Sequence, residues 1–229
     1  MTLLLLFRGH ADSAICTEFS LAANADDAVA NGTTVETDGI ESLGEECAFR
    51  FTGMSALNGA TIVSAYLAVT TNDGGGVIGH STLITCEDAD SAAQFTDGAA
   101  YSTFTARPRT AGTAWDIPNG AITDETEYES PNFAADLQAV IDRAGWTDTV
   151  QVFWDNDGSD PSLPIYMRDG DPAKAAVLRV CYTPRVEADP DTLYGWLEAS
   201  AAGRLHGGVA GRLHSEARGR LHGSQNSEN

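Results

Sequence analysis

The sequence contains a single lysine, Lys174, and few basic residues of any kind. The 229-residue chain has 13 lysines and arginines against 33 acidic residues, which gives a formal net charge of −20. Such an acidic surface repels the phosphates of nucleic acids and anionic lipid headgroups. We therefore expect neither nucleic acid nor a membrane as a partner of the main body. Solubility explains the charge most simply, and a salt-rich environment or bound divalent cations are the alternatives.

Long apolar segments are also missing. The N-terminal apolar run, Leu3–Phe7, has five residues and no basic residue before it. A secretion signal has a longer apolar core behind a positive charge, and a transmembrane helix needs about 20 apolar residues. The sequence therefore predicts neither a cleaved signal nor a transmembrane segment.

Cysteine is scarce and widely spaced. Cys16, Cys47, Cys86 and Cys181 all lie more than 30 residues apart, so no CxxC metal or redox motif occurs. Each cysteine lies in or near a strand-like run, which favours four buried or half-buried thiols. One or two disulfides are the alternative, and the sequence does not pair them.

Motifs of enzymatic catalysis are absent as well. No GxSxG nucleophile elbow occurs, and His10 and His80 are isolated. Adjacent acids such as Glu87 and Asp88 point to opposite faces of a strand, so they do not form a glycosidase pair. We interpret them as solvated surface and expect no enzymatic activity.

What the sequence does contain is many short β-strands. The clearest is residues 59–71, where apolar and small side chains alternate and β-branched residues dominate. Residues 47–51 and 175–182 alternate in the same way, and residues 102–106 also resemble a strand. About eight to ten such strands separated by turn signals predict an all-β fold, an antiparallel jelly-roll-like β-sandwich over residues 14–183.

One convincing helix interrupts the strands, at about residues 131–144. Ser130 is suited to the N-cap and Pro131 to the first helical position. Leu137 lies at the centre of an apolar stripe, and Gly145 suits a left-handed residue after the helix. A short amphipathic helix of this kind needs a sheet to bury its apolar side.

Three segments resemble a known family. They are GATIVSAYLAV at 59–69, SPNFAADLQAVIDRAGW at 130–146 and VLRVCYTP at 177–184. In this order they are similar to the jelly-roll modules called DNRLRE-like or carbohydrate-binding-like domains, over about residues 20–184. The resemblance implies a β-sandwich on a bacterial surface or a phage virion, and it carries over no catalytic residue. The asparagine of the family's name motif is absent, because Glu87-Asp88-Ala89-Asp90 stands there.

Aromatic residues are the features that would favour glycan binding. An exposed platform for a sugar could be built from Trp115, Trp146, Trp154, Tyr101 and Tyr128. Three of these lie in strong strand or helix patterns, so we expect them to pack in the core.

The segment after residue 154 is rich in aspartate. Asp155, Asp157 and Asp160 surround Gly158, and hard cations prefer such a density of oxygen ligands around a sharp turn. The EF-hand pattern is incomplete because Tyr166 stands where its final glutamate belongs. A solvated turn is therefore the first interpretation, and a weak calcium site is the alternative. We expect no other cofactor.

The C-terminal segment has a different composition. Gly-Arg-Leu-His occurs three times, at 203–206, 211–214 and 219–222. The even spacing of eight places Leu205, Leu213 and Leu221 on one side of an extended chain, with Arg204, Arg212 and Arg220 on the other. Residues 199–223 carry four arginines and one glutamate, net +3, whereas residues 1–183 carry 8 basic and 27 acidic residues, net −19.

These features predict an N-terminal apolar arm at residues 1–13, a sandwich at 14–183 and a linker with a repeat tail at 184–229. We predict a non-enzymatic structural protein of a virion, such as a phage decoration, fibre or appendage component, that joins a homo-oligomer through its termini. The predicted assembly contacts are Leu3, Leu4, Leu5, Leu6, Phe7, Arg204, Leu205, Arg212, Leu213, Arg220 and Leu221. The alternative is a carbohydrate-binding module or a surface adhesin domain, located outside the cell or on its surface, with glycans as partners.

Overall fold

The structure is a computed structural model that describes residues 13–38, 41–43, 46–72, 80–117, 123–156 and 164–185. These residues belong to one compact unit that ends at Arg185. None of its described helices is long and apolar enough to cross a membrane.

The described chain consists mainly of strands. They are β1 Ile15–Ser20, β2 Asp27–Ala30, β3 Thr34–Glu36, β4 Glu41–Leu43, β5 Glu46–Phe51, β6 Thr61–Thr70, β7 His80–Cys86, β8 Ala99–Ala100, β9 Thr113–Ile117, β10 Glu127–Glu129, β11 Val150–Asn156, β12 Pro164–Tyr166 and β13 Val177–Thr183. The α-helices are α1 Ser102–Thr105 and α2 Ala134–Ile141, and 3₁₀ turns span Asn24–Asp26 and Ser55–Leu57.

The strands form two facing sheets in which every pairing is antiparallel. Sheet A has the order β1-β13-β6-β10, and sheet B has the order β8-β3-β2-β5-β11-β7-β9. A small third sheet pairs β12 with β4. Eight of the strands pair in a nested way, with β1 next to β13, β5 next to β11, β6 next to β10, and β7 next to β9. A long hairpin rolled into two sheets gives this nesting, so the predicted jelly-roll-like sandwich is confirmed.

The main core lies between the two sheets. Strand β13 shows the expected alternation, with Leu178, Val180 and Tyr182 buried and their neighbours half-buried. These side chains pack against residues of sheet B such as Phe49 and Val152, both fully buried. The pleat of each strand therefore separates an inner apolar face from an outer face.

A second, smaller core covers the outer face of sheet B. Phe95 and Phe104, from the segment between β7 and β9, pack on Phe153 of β11 and on Val35 of β3. Strand β11 is consequently buried on both faces, as its run of apolar side chains predicts.

The helix α2 is shorter than the predicted 131–144 and begins later. Ser130 is not its N-cap, because the Ser130 hydroxyl accepts a hydrogen bond from the Leu67 N–H (2.9 Å) and the Ser130 N–H donates to the Leu67 carbonyl (2.9 Å). Asn132 binds β6 as well, accepting from the Ala65 N–H at 3.0 Å. Residues 130–133 thus extend the pairing along β6, and that pairing competes successfully with the helix cap.

Helix α2 closes one side of the sandwich. The Gln138 side chain accepts from the Ile62 N–H (2.7 Å) and donates to the Ala60 carbonyl (3.2 Å), so it satisfies the edge of β6 beyond the end of β10. The Asp136 carboxylate accepts from the Gly112 N–H (2.8 Å) and the Thr113 hydroxyl (2.9 Å) beside β9. One helix thereby covers edge groups of both sheets, as native proteins commonly do to prevent strand addition.

Two further expectations about local structure are wrong. The predicted strand at residues 102–106 is instead the helix α1, Ser102–Thr105, because Phe104 packs into the second core against Phe95 and Phe153. Gly145 does not adopt a positive φ. A Cβ at this position would overlap the carboxylate of Asp90, so a larger residue would displace that carboxylate from its contact with Arg143.

Candidate functional site at the paired terminal strands

The first and last strands of the sandwich lie side by side. Strands β1 and β13 are antiparallel neighbours in sheet A, with Ile15 opposite Tyr182 and Ser20 opposite Val177. Because their directions are opposite, the chain enters the sandwich at Ile15 and leaves it after Thr183 at the same end. The N-terminal and C-terminal regions therefore start from one place on the body.

A disulfide joins these two strands where the chain enters and leaves. Cys16 and Cys181 are directly opposite each other in the strand register and form a disulfide across a sequence separation of 165 residues. The interpretation of four thiols is therefore wrong for this pair and holds for Cys47 and Cys86, which are buried thiols. Burial, with a smaller contribution from Asp136, raises the pKa of the Cys86 thiol.

The disulfide lies on the outer face of sheet A beside a cluster of charges. Arg179 donates hydrogen bonds to Glu127 (2.7 Å), Glu18 (2.9 Å) and Glu129 (3.3 Å), and these bonds, that to Glu127 most of all, raise the pKa of its guanidinium. Three carboxylates around one guanidinium give this group a surplus of two negative charges. We call these four residues the Arg179 cluster.

The disulfide and the Arg179 cluster line a shallow groove of about 600 Å³. Tyr66 and Ser64, from the outer face of β6, contribute to its lining. Cys16 is exposed, whereas Cys181, Ser64 and Tyr66 are half-buried. The groove combines a polar, negatively charged rim with a disulfide that solvent can reach.

The outer face of sheet B holds charged residues of a different kind. Arg107 pairs with Glu87 at 2.7 Å and lies over the ring of Phe95 at 3.7 Å from its centroid. Glu87 is 8% exposed, so its interpretation as solvated surface is wrong. Its neighbour Asp88 is exposed, in accordance with that interpretation.

Asp155, the first residue of the predicted calcium loop, belongs to this second face. Its carboxylate lies 3.3 Å from the Arg109 guanidinium and accepts from the Thr85 hydroxyl at 3.1 Å. Burial is the main cause that raises its pKa to about 6. Among the described residues no group of three or more His, Cys, Asp or Glu side chains is arranged to hold a metal ion. Asp157 and Asp160 lie outside the described residues.

The aromatic residues considered for a sugar platform pack mainly in the core, as predicted. Trp115 and Trp154 stack with ring centroids 5.0 Å apart and are each 6% exposed, and Trp146 is 3% exposed. Tyr101 and Tyr128 are half-buried. The Tyr101 hydroxyl donates to Glu46, which raises its pKa to about 12.

The predicted assembly contacts are not among the described residues. This applies to the apolar arm, Leu3–Phe7, and to the leucines and arginines of the Gly-Arg-Leu-His repeats. The described site therefore consists of the strands from which these two regions extend.

Comparisons with known proteins give little further information. No family model and no curated protein matches the chain. A solved structure from Desmodium yellow mottle tymovirus is similar at a TM-score of 0.30 and 12% sequence identity, covering 82% of this chain and 98% of that chain. A similarity of this size carries no argument about function. The resemblance to DNRLRE-like domains stays a prediction.

Proposed function

We propose that this chain is a non-enzymatic structural protein, in which the sandwich is a rigid body that presents two attachment segments. The observation that carries this proposal is the position of the chain's two exits, side by side on β1 and β13 and joined by the Cys16–Cys181 disulfide. A body of this design brings both segments to one contact point on a neighbouring subunit.

The disulfide suits a protein that is held by its ends. A pull on either terminal region reaches Cys16 or Cys181 almost at once, and the covalent bond prevents β1 and β13 from separating further inward. Everything between these cysteines, which includes both sheets and α2, is thereby isolated from the load.

A disulfide also favours a location outside the cytoplasm, because thiols are kept reduced inside most cells. A virion or a cell surface satisfies this condition. The jelly-roll order of strands is common among viral coat domains, although it also occurs in lectins and in other proteins. The resemblance to phage and bacterial surface modules supports the virion role more specifically.

The proposed partners are further copies of the chain. The arginines of the repeat tail have an electrostatic counterpart in the acidic bodies, and charge complementarity of this kind orients association. An arm of five large apolar residues is an aggregation hazard unless it pairs with a strand of its own or a neighbouring chain.

The arginines of the repeats provide the test. The triple variant Arg204→Gln, Arg212→Gln and Arg220→Gln should lose the assembled species in sedimentation velocity and keep the monomer. The matched control is Arg218→Gln, since Arg218 lies in the same segment but outside the Gly-Arg-Leu-His units. Equal assembly of the triple variant and the control would contradict the proposed role of the tail.

Glycan binding is the second candidate, favoured by Tyr66 in the groove of sheet A. An aromatic ring beside carboxylates is a common way to hold a sugar. A glycan array should then show binding that Tyr66→Ala abolishes. We rank it second because the three tryptophans that could have formed a larger platform are buried.

A further inference from the structure

The Cys16–Cys181 disulfide is accessible to small molecules in the folded protein. Cys16 is exposed and Cys181 is half-buried, on the outer face of sheet A and in the wall of a groove of about 600 Å³. Exchange between a thiol and a disulfide requires a thiolate to reach one of the sulfur atoms. The two remaining thiols, Cys47 and Cys86, are fully buried and lack this access.

The charges around the disulfide discriminate between attacking thiols. Glu18 follows Cys16 on the same face of β1, about 7 Å away by the rise of an extended strand. Glu127 and Glu129 lie on the far side of Arg179, and the Arg179 cluster has a surplus of two negative charges. A thiol that carries an additional negative charge is repelled there, and one that carries a positive charge is attracted.

The strand that the disulfide holds is weakly attached otherwise. Strand β1 pairs only with β13 among the described strands. Four of its six residues are exposed, including Ile15 at 48%, and only Phe19 packs against the main core as a half-buried residue. Opening the disulfide therefore leaves three contacts to hold β1 in place. They are one strand pairing, one partly buried ring and the exposed ion pair between Glu18 and Arg179.

We propose that Cys16–Cys181 is a site of thiol–disulfide exchange selective for cationic or neutral thiols over anionic ones, and that its reduction releases β1 from the edge of sheet A. This inference concerns the folded body alone. It does not depend on the proposed assembly function.

The chemistry is a two-electron exchange with an external dithiol or two monothiols. The attacking thiolate forms a bond to the sulfur of Cys16, and the bond between Cys16 and Cys181 breaks. Cys181 leaves as a thiolate, two residues from the Arg179 guanidinium on the same face, and then takes a proton from water. A second thiol attacks the mixed disulfide, which releases the Cys16 thiol and leaves the reagent oxidised to its disulfide.

The selectivity is tested with three reagents on the native full-length chain. Cysteamine is cationic, 2-mercaptoethanol is neutral and 3-mercaptopropionate is anionic. The rate of disulfide reduction by each reagent is divided by the concentration of its thiolate. Alkylation of Cys16 and Cys181, followed by peptide mass spectrometry, reports the reaction. We expect cysteamine to react several-fold faster than 3-mercaptopropionate at low salt, and the ratio to approach one in about 1 M salt, where the screening length is near 3 Å.

A matched pair of variants locates the source of the selectivity. The double variant Glu18→Gln and Glu129→Gln should reduce the ratio towards one. The control Glu36→Gln removes one exposed carboxylate from β3 of sheet B and should leave the ratio unchanged. Equal thiolate-normalised rates for all three reagents at low salt, or a disulfide that resists them until the protein is unfolded, would overturn the proposal.

Hydrogen exchange of the wild-type chain tests the release of β1. After reduction, peptides covering residues 15–20 should exchange roughly tenfold faster or more, as for a locally opened segment. Peptides covering 150–156, the doubly buried strand β11, should be unchanged. Reoxidation should restore protection. Protection of residues 15–20 that is the same in both redox states would show that the strand pairing alone holds β1 and would overturn this part of the proposal.

Discussion

The outer faces of both sheets carry arginines paired with carboxylates, but these pairs are largely buried on sheet B and exposed on sheet A. On sheet B, the segment between β7 and β9 contributes Arg107 and Arg109, which stack on phenylalanine rings and pair with Glu87 and Asp155. The side chains of the two arginines are 15–19% exposed and those of their acidic partners are 9–16% exposed. On sheet A, Arg179 and its three glutamates keep 32–62% of their side-chain surface in water. Buried charges require their partners, and exposed charges are screened. The charges on sheet B therefore depend on their partners, whereas on sheet A charge can influence what approaches the disulfide.

The largest loss of stability should come from removing the ring of Phe104, which packs the segment between β7 and β9 onto the outer face of sheet B. Phe104 is fully buried, and its ring centroid lies 5.3 Å from that of Phe95 and 5.1 Å from that of Phe153. Phe104→Ala should lower the free energy of unfolding by roughly 3–5 kcal/mol, the usual cost of such a truncation. Denaturant unfolding measures it, with Val63→Ala as the control, because Val63 is 52% exposed on sheet A. Similar losses for both variants would mean that the two faces do not differ as described.

The disulfide of sheet A should have the next largest effect. The double variant Cys16→Ala and Cys181→Ala removes a cross-link over a separation of 165 residues and should cost roughly 2–5 kcal/mol, since long loops gain most from closure. The melting temperature should fall, and reduction of the wild-type chain should produce the same fall. Cys86→Ala is a poor control because it leaves a cavity, whereas Glu18→Gln tests the neighbouring ion pair alone.

The dehydrated carboxylates of sheet B should make stability depend on pH. Asp27 is 2% exposed, accepts from the Arg168 N–H at 2.7 Å and lies near Asp169, and burial is the main cause that raises its pKa from 3.8 to about 7. The folded state then holds the Asp27 proton more tightly than the unfolded state does. The contribution of this proton to the free energy of unfolding is therefore complete below about pH 4 and is lost as the pH rises through 7.

Asp27→Asn keeps an oxygen acceptor and removes this titration. Relative to the wild-type chain, its melting temperature should therefore rise between pH 4 and pH 7.5. Asp155→Asn should show a similar relative rise that ends near pH 6, since burial raises the pKa of Asp155 to about 6. Parallel curves for Asp27→Asn and the wild-type chain across this range would refute the assignment.

The smallest effect should come from the charges of sheet A. Glu129→Gln removes one exposed partner of Arg179, at 3.3 Å, and should change the free energy of unfolding by about 0–1 kcal/mol. The same variant should alter the reaction of the disulfide with charged thiols. A loss of stability as large as that of Phe104→Ala would show that the Arg179 cluster is structural.

Much of the fold follows from local patterns, and the exceptions have physical causes. The alternation in β13 predicts its inner face correctly, because burial of a strand repeats every two residues. In β6 the alternation holds from Ala65 to Val69, whereas Ile62 is buried and Val63 is exposed because the register with β13 shifts there. The helix cap at Ser130 and the strand at residues 102–106 are wrong because β6 and the second core act on them from distant parts of the chain. Local propensity does not contain those contacts.

The pairing of β1 with β13 could have been predicted in part from the equal spacing of cysteine and charged residues in the two strands. Cys16 and Glu18 are separated by one residue, and so are Arg179 and Cys181. In an antiparallel pair this arrangement sets cysteine opposite cysteine and glutamate opposite arginine, which is the register found for β1 and β13. The groove and its net charge depend also on Glu127 and Glu129, which reach Arg179 only through the sheet order.

The central claim is that the body is a monomeric scaffold and that the regions extending from β1 and β13 build the assembly. Sedimentation velocity of the full chain and of a chain that ends at Arg185 tests it most directly. The full chain should sediment as a species whose mass is a multiple of the chain mass of 24.1 kDa, whereas the shortened chain should be folded and monomeric. Assembly of the shortened chain to the same size as the full chain would contradict the claim.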